Sequence, residues 1–374
     1  MSLAASQVSN DPALDQRFMS LAFALGRRGL GNTWPNPAVG AVVVKNGVVV
    51  GRGWTQPGGR PHVETVALKR ARDAARGATL YVTLEPCSHE GKTKPCADAI
   101  IAAKIARVVS ALEDPNPEVK GQGHAKLKAR GIAVEVGLGE EEAERAHAGH
   151  IRRIRDGRPQ VMLKLAVSAD GKVGGAGRKP VAISAPAARE RVFELRAQSD
   201  AILVGIGTVI ADDPALTCRL PGMQERSPVR VVLDARLRVP LATAVVATAR
   251  ETPTWVFGST KASAMNEEIL RAKGVEVFRV KEKKKGQLDI ARVLKILAER
   301  GITRLMVEGG PIVAASFLAA NLVDEAAIFH APVTIGKDGV DALEGMKLKA
   351  LTKTLRSVSR EDIGPDQLER FERK

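Results

Sequence analysis

The sequence predicts an α/β protein of two domains. Three observations carry this. The chain has 374 residues, and a domain usually takes about 100–200. Short β-branched runs alternate with helix-period segments through both halves, the pattern of layered α/β folds. The alternation breaks once, at a highly charged helical stretch over 140–157 that ends in Gly157-Arg158-Pro159. The domains are therefore placed at 1–152 and 153–374. No internal repeat relates them, so they are two different α/β domains.

Taken in order, residues 13–29 read as a helix with Phe18, Leu21, Ala22 and Leu25 on one face. AVVVKNGVVVG reads as a hairpin, because two apolar runs flank Asn46-Gly47 and Asn-Gly favours a tight turn. HVETVALKRARDAA follows as a helix and ATLYVTLE as a buried strand. CADAIIAAKI is a helix opened by Pro95, and ARVVSAL and GIAVEVG are strands. In the second half VMLKLAVSADG, DAILVG, VRVVLD, TPTWVFG, VEVFRV, ITRLMVEGG and EAAIFHAPV read as strands. ARERVFELRAQ, LDIARVLKILAERG and IVAASFLAA read as helices between them. The basic run KEKKKG at 281–286 reads as a solvated loop.

Composition narrows the function. Hydrophobic residues are 44% and charged residues 26%, enough for a packed core and against disorder or a collagen-like chain. The longest apolar runs fall far short of the roughly 20 residues of a membrane span. MSLAASQVSNDP has neither a basic region nor an apolar core, so no secretory signal is expected. Three cysteines make no disulfide framework and suit a reducing, cytoplasmic setting. The net charge is +15, of which residues 1–150 carry +4 and the remainder +11. Such an excess suits phosphorylated ligands as well as nucleic acid. Aromatic residues are only 3%, which leaves few platforms for stacking bases, so no nucleic-acid partner is expected.

The sharpest chemical signal lies between residues 61 and 96. It reads PHVE, then EPCSHEGKTKPC. A catalytic zinc site takes three nitrogen or sulfur ligands and keeps a position for water. His62, Cys87 and Cys96 form such a set. His62 and Cys96 stand at predicted helix starts, where thiolates are favoured, and Cys87 follows a strand end. Glu64, two residues past His62, can reach the water without being a ligand. H-x-E, then Pro-Cys and a second Cys, is the order found in zinc deaminases. Eight residues, SHEGKTKP, separate the cysteines where two are common. They include His89 and Lys92, both able to meet a polar or phosphorylated substrate. Cys218, His124, His147, His150 and His330 lack such context.

The second half is less explicit. EGGP joins a strand to a helix, and a glycine turn at a helix N-terminus can receive phosphate. GIGT at 205–208 has the same form. Both are also what an ordinary loop between strand and helix looks like, and Arg196 on its amphipathic helix reads equally as a solvated face.

At these residues the chain resembles the bifunctional riboflavin-biosynthesis deaminase–reductase family. The matching stretches include NPAVGAVVVKNGVVVGRG, EPCSHEGKTKPC, ALEDPNPEVKGQG, KLAVSADGKV, LRAQSDAILVGIGTVIADDPALTCR and VEGGPIVAASFL, nearly the whole chain. The resemblance implies a cytidine-deaminase-like α/β/α domain followed by a dihydrofolate-reductase-like α/β domain. It implies zinc-dependent deamination of a diamino-hydroxy-phosphoribosylamino-pyrimidine. NADPH-dependent reduction of the product's ribosyl group to ribityl follows. Carried over by residue, zinc falls on His62, Cys87 and Cys96, and Glu64 is catalytic. Asn36, His89 and Lys92 match substrate positions in the first domain. Arg196, Leu216, Arg219, Glu308 and Lys164 do so in the second. Thr208, Asp212, Gly310, Ala166 and Ala182 match cofactor positions. A homo-oligomer is implied, and no membrane partner.

The chain departs from the family pattern in places. Thr55 stands where many members have a substrate-contacting His, with Trp54 and Gln56 beside it. Lys94 replaces a common Pro, and Ala182-Ile183-Ser184 replaces a Trp-Ile-Thr/Ser stretch, so position 182 has no ring for the cofactor. Two other readings remain open at this level. One is a nucleic-acid-editing zinc deaminase with a basic appended domain. The other is a deaminase fused to a non-catalytic nucleotide-binding module.

Overall fold

The computed structural model describes residues 11–90, 94–284 and 286–374. It separates into two compact units, Met1–Gly157 and Arg158–Lys374. Gly157 takes the left-handed conformation that ends the last helix of the first unit, and position 152/153 falls within that helix.

Among the described residues, the first unit has strands β1 Gly40–Lys45, β2 Val48–Trp54, β3 Thr79–Val82, β4 Arg107–Ser110 and β5 Ala133–Val136. Its helices are α1 Pro12–Gly26, α2 Val63–Ala71, α3 Cys96–Ala102, α4 Gln122–Lys128, α5 Glu140–Ala146 and α6 Ala148–Asp156. The sheet order is β2-β1-β3-β4-β5. β1 and β2 form the Asn-Gly hairpin, with Asn46 and Gly47 both at positive φ. β3, β4 and β5 run parallel. Alternation along the strands decides the layers. Ala41, Val43, Leu80, Val82 and Val108 pack with Ala67 of α2, Ile100 of α3 and Leu127 of α4. Val42, Val44, Tyr81 and Val109 face Phe18, Met19 and Ala22 of α1 and Ala143 of α5. The result is an α/β/α sandwich. Gly40 permits the close approach of α1: a Cβ there would lie 1.8 Å from the Ala22 carbonyl oxygen. Across the same face Arg107 of β4 holds Asp15 of α1 at 2.9 and 2.5 Å and Glu135 of β5 at 2.8 Å.

In the second unit the chain runs β6 Gln160–Val167, β7 Lys172–Gly174, α7 Pro186–Ala197, β8 Ala201–Gly205, α8 Ile206–Asp212, β9 Val229–Leu233 and α9 Ala244–Ala247. It continues with β10 Thr254–Ser259, α10 Ala264–Ala272, β11 Glu276–Val280, β12 Glu282–Lys284, β13 Gln287–Leu288, α11 Ile290–Glu299 and β14 Arg304–Val307. It ends with α12 Pro311–Ala319, β15 Glu325–His330, β16 Val340–Asp341, β17 Leu355–Ile363 and β18 Asp366–Arg373. The main sheet has the order β11-β10-β9-β8-β14-β6-β15-β18-β17. The strands from β11 to β15 in that order are parallel, and β18 and β17 close it antiparallel. Parallel strands buried on both faces explain the continuous apolar runs of the sequence. The chain enters at β6, moves outward through β8 to β11, then returns with β14 between β8 and β6. Ligand crevices form at the carboxyl ends of strands where the order reverses in this way.

Three local expectations change. The helix over 140–157 is broken at His147 (φ −100°, ψ 10°) into α5 and α6. The KEKKKG run is not a bare loop, because β12 pairs with β13 as a small hairpin. The β17–β18 hairpin was not expected, since β17 is polar along both faces and exposed along most of its length.

Candidate active sites

The first site is assembled where β3, α2 and α3 meet. His62 is the extended residue capping α2, directly after the Arg60–Pro61 peptide, so its ring leaves the helix end while Glu64 lies in the first turn. Cys96 is the first residue of α3, behind Pro95. Cys87 follows β3 and is joined to α3 by two backbone groups. Its carbonyl accepts from Ala97 N–H at 3.1 Å, and its sulfur accepts from Cys96 N–H at 3.3 Å. His62 Nδ1 lies 3.6 Å from Cys87 Sγ and 3.4 Å from Cys96 Sγ. One ligand atom from each of the three residues lies within 4.8 Å of the others. Two sulfurs and an imidazole nitrogen so placed fit zinc. Contacts from Cys96 and His62 hold the Cys87 thiol down to about 4, which favours the ligating thiolate. Glu64 is buried, and desolvation, with the neighbouring Cys87 charge, pushes its carboxyl up from the usual range.

Sequence reading missed the support beneath Cys87. Glu85 is buried and accepts backbone N–H bonds from Asp114, Gly121, Gly123 and His124 at 3.1, 2.9, 2.8 and 3.2 Å. It ties the 114–124 segment under Pro86-Cys87. Gly123 permits this, because a Cβ there would sit 2.0 Å from the Pro86 carbonyl oxygen. Glu85 is held by backbone N–H groups, so no side-chain pattern signals it.

The other expected residues vary. Asn36 donates to Gly59 O at 2.9 Å, and its amide nitrogen lies 3.4 Å from His62 Nε2. His89 is exposed, two residues past Cys87. Lys92 lies outside the described residues. Thr55 is buried and bonded to the backbone. Its hydroxyl accepts from Val39 N–H and donates to Val39 O, so it fastens the approach to β1. His124 and His147 are core residues, His150 lies 3.2 Å from Asp114, and Cys218 is buried outside the cluster.

The second site is a cavity of about 820 Å³ across the carboxyl ends of β6, β14, β8 and β9. Lys164, Arg196, Leu216 and Glu308 line it, as do Ala166, Ala182, Thr208, Asp212 and Gly310. Lys164 Nζ lies 3.1 Å from one Glu308 oxygen, and Arg196 donates to the other at 3.1 and 3.0 Å. Burial alone would raise the Glu308 carboxyl, but the two cations outweigh it and hold it below the usual range. Arg196 also donates to Thr217 O at 3.0 Å, so much of its fork is engaged within the protein. Arg219 is exposed and does not line the cavity, its guanidinium 5.9 Å from the Phe193 ring centroid. Gly310 precedes α12, and its N–H donates to Thr208 Oγ1 at 3.0 Å. A glycine turn opening a nine-residue helix onto a cavity of this volume fits a dinucleotide phosphate. At Ala182 the wall carries a methyl group.

Known proteins are similar to this chain in both of its units. The cytidine and deoxycytidylate deaminase zinc-binding region matches residues 12–112, and the RibD C-terminal domain matches residues 159–368. The riboflavin biosynthesis protein RibD of Escherichia coli is 40% identical over 365 residues, covering 94% of this chain and 97% of that protein. That of Aquifex aeolicus is 42% identical, covering 96% and 99%. Among solved structures, Acinetobacter baumannii RibD has TM-score 0.86 at 34% identity, covering 97% of this chain and all of that one. A diaminohydroxyphosphoribosylaminopyrimidine deaminase/5-amino-6-(5-phosphoribosylamino)uracil reductase from Thermotoga maritima has TM-score 0.83 at 34% identity, covering 97% and 99%. With a histidine–cysteine metal set in one unit, a cavity fit for a dinucleotide in the other, and a relative of 40% identity matched over 94% of its length, this chain belongs to the RibD family of riboflavin-biosynthesis enzymes.

Proposed function

We propose that the chain deaminates diaminohydroxyphosphoribosylaminopyrimidine in domain 1–152 and reduces the resulting 5-amino-6-(5-phosphoribosylamino)uracil in domain 153–374. The observation that carries the first step is His62, Cys87 and Cys96 gathered beside a buried Glu64. Zinc, when bound, supplies a Lewis acid that makes water acidic near neutral pH. Glu64 takes one proton from the attacking water and passes it to the ring nitrogen, then takes the remaining hydroxyl proton from the tetrahedral carbon centre and passes it to the departing amine, so the carbon–nitrogen bond breaks with release of ammonia and the carbonyl forms. Asn36, His89 and Lys92 bind the phosphorylated pyrimidine, and Thr55 is not among its contacts.

In the second step NADPH supplies a hydride. Lys164, fixed by Glu308, presents its ammonium to the sugar oxygen that gains a proton as ribosyl becomes ribityl. Arg196 braces Glu308 and the Leu216 segment, and Arg219 at the exposed side meets the phosphate. Thr208, Asp212, Gly310, Ala166 and Ala182 border the cofactor. The same reading carries a cytoplasmic location and self-association, with neither nucleic acid nor membrane as partner.

Purified chain given the diaminopyrimidine alone should release one ammonia per substrate without consuming NADPH. Added NADPH should then be oxidised mole for mole with the ammonia released. Ammonia release without any later oxidation would leave the second unit a binding module.

A further inference from the structure

The family match does not say which cations meet the phosphate that distinguishes NADPH from NADH, and strand order supplies the answer. Across the carboxyl ends the sequence of strands is β6, β14, β8, β9. Lys164 and Ala166 lie on β6, Gly309-Gly310 follow β14, Gly205 to Thr208 end β8 and open α8, and Leu233 to Arg238 follow β9. All four segments line one cavity. A dinucleotide with its diphosphate at the glycine turn and its reacting ring beside Lys164 must send its adenosine half the other way, over β8 toward β9. The 2′-phosphate belongs to that half.

The loop after β9 is built to hold two arginines at this place. Asp234 is buried, and its carboxylate accepts the backbone N–H groups of Arg236, Arg238 and Val239 at 3.4, 2.5 and 2.8 Å. Leu237 takes φ 52°, and its side chain is buried against Gly258, where a Cβ would meet it at 2.6 Å. Arg236 and Arg238 flank this inward residue, and both are exposed and line the cavity. The Arg238 guanidinium makes a long contact, 3.9 Å, to the Asp234 carboxylate that already receives three N–H groups. The Arg236 side chain has no hydrogen bond or ion pair among the described residues, although its charge joins the Gly286 N–H bond in lowering the Glu282 carboxyl on β12. The β12–β13 hairpin, which carries part of the basic run, borders the same end through Gly286, Gln287 and Leu288. Arg178 of the cavity wall is by contrast paired with both oxygens of Glu344 at 2.9 Å.

We propose that Arg236, with Arg238 beside it, binds the 2′-phosphate of NADPH and sets the preference for NADPH over NADH, an inference that rests on the reductase reading of the second unit. The guanidinium fork matches phosphate oxygens in a way that a single ammonium does not. Calorimetric titration of the whole chain with NADPH, NADH, adenosine 2′,5′-bisphosphate and AMP tests it without turnover. Arg236→Ala should weaken NADPH and the bisphosphate by about tenfold or more and leave NADH and AMP within about twofold. The double variant with Arg238→Ala should weaken the first pair further. Unchanged NADPH affinity in Arg236→Ala, or an equal loss for NADH and AMP, overturns the assignment. Lys179 and Arg189 also line the cavity, and a selective loss in Lys179→Ala or Arg189→Ala instead overturns it as well. If wild-type chain binds neither NADPH nor NADH, the reductase reading falls and the assignment with it. If it binds NADPH and only the variants fail to respond, the assignment alone falls.

Discussion

Glu308 illustrates how one carboxylate serves both stability and chemistry. It neutralises Lys164 and Arg196 at once, and through Arg196 it reaches the Thr217 carbonyl. Glu308→Gln keeps the shape and removes the charge. It should destabilise the second unit by about 1.5–3 kcal/mol, the range for hydrogen bonds to charged groups. Its folded-state pKa lies below the ordinary glutamate value. The contribution is therefore present in full above the unfolded pKa, roughly 4.3, and lost as pH falls through the folded value. The gap in melting temperature between wild type and variant should be wide at pH 7 and should narrow below about pH 4. A gap that is constant across this range would mean that the charge of Glu308 does not matter to folding.

At the scale of elements, the metal set depends on helices arriving at fixed places on the first sheet. Gly40 lets α1 lie close enough to bury Phe18, Met19 and Ala22 against Val42 and Tyr81. Gly40→Ala forces backbone apart, an overpacking that typically costs about 1–3 kcal/mol. The unfolding transition of the first unit should move to lower temperature, seen by calorimetry of the whole chain, while that of the second stays in place. An unmoved transition would show that α1 has room to spare. This sheet and its site were legible in the sequence because their signals are local. Asn46-Gly47 dictates a turn, Pro95 opens a helix, and the three ligands fall at element ends within one stretch of chain. Glu85 was not legible, since its partners are backbone groups that no side-chain pattern announces. β17 was not legible either, because its sequence LRSVSREDI alternates between polar residues on both faces and offers no period to read.

The whole molecule keeps its two chemistries in separate compact units. The second site draws Lys164 and Glu308 from positions 144 residues apart, which only the returning strand β14 brings together. Sequence alone named nine of its lining residues by resemblance, yet it could not show that Arg196 is largely engaged by Glu308 and Thr217 or that Arg219 stands outside the cavity lining. Separation of the units has a direct consequence for metal removal. Chelation should abolish deamination and leave reduction of supplied deaminated substrate intact, as followed by NADPH oxidation. Parallel loss of both would mean that zinc supports the second unit as well. The most direct measurement of the account combines both assays on Glu64→Gln, with zinc content measured on the same sample. Glu64 belongs to the first compact unit and the reductase residues to the second, and proton shuttling of its kind contributes about 10²–10⁴-fold. The variant should keep its zinc, lose deamination by at least about that factor, and still oxidise NADPH with deaminated substrate at the wild-type rate. Substantial remaining deamination, or joint loss of both activities with zinc in place, would contradict it.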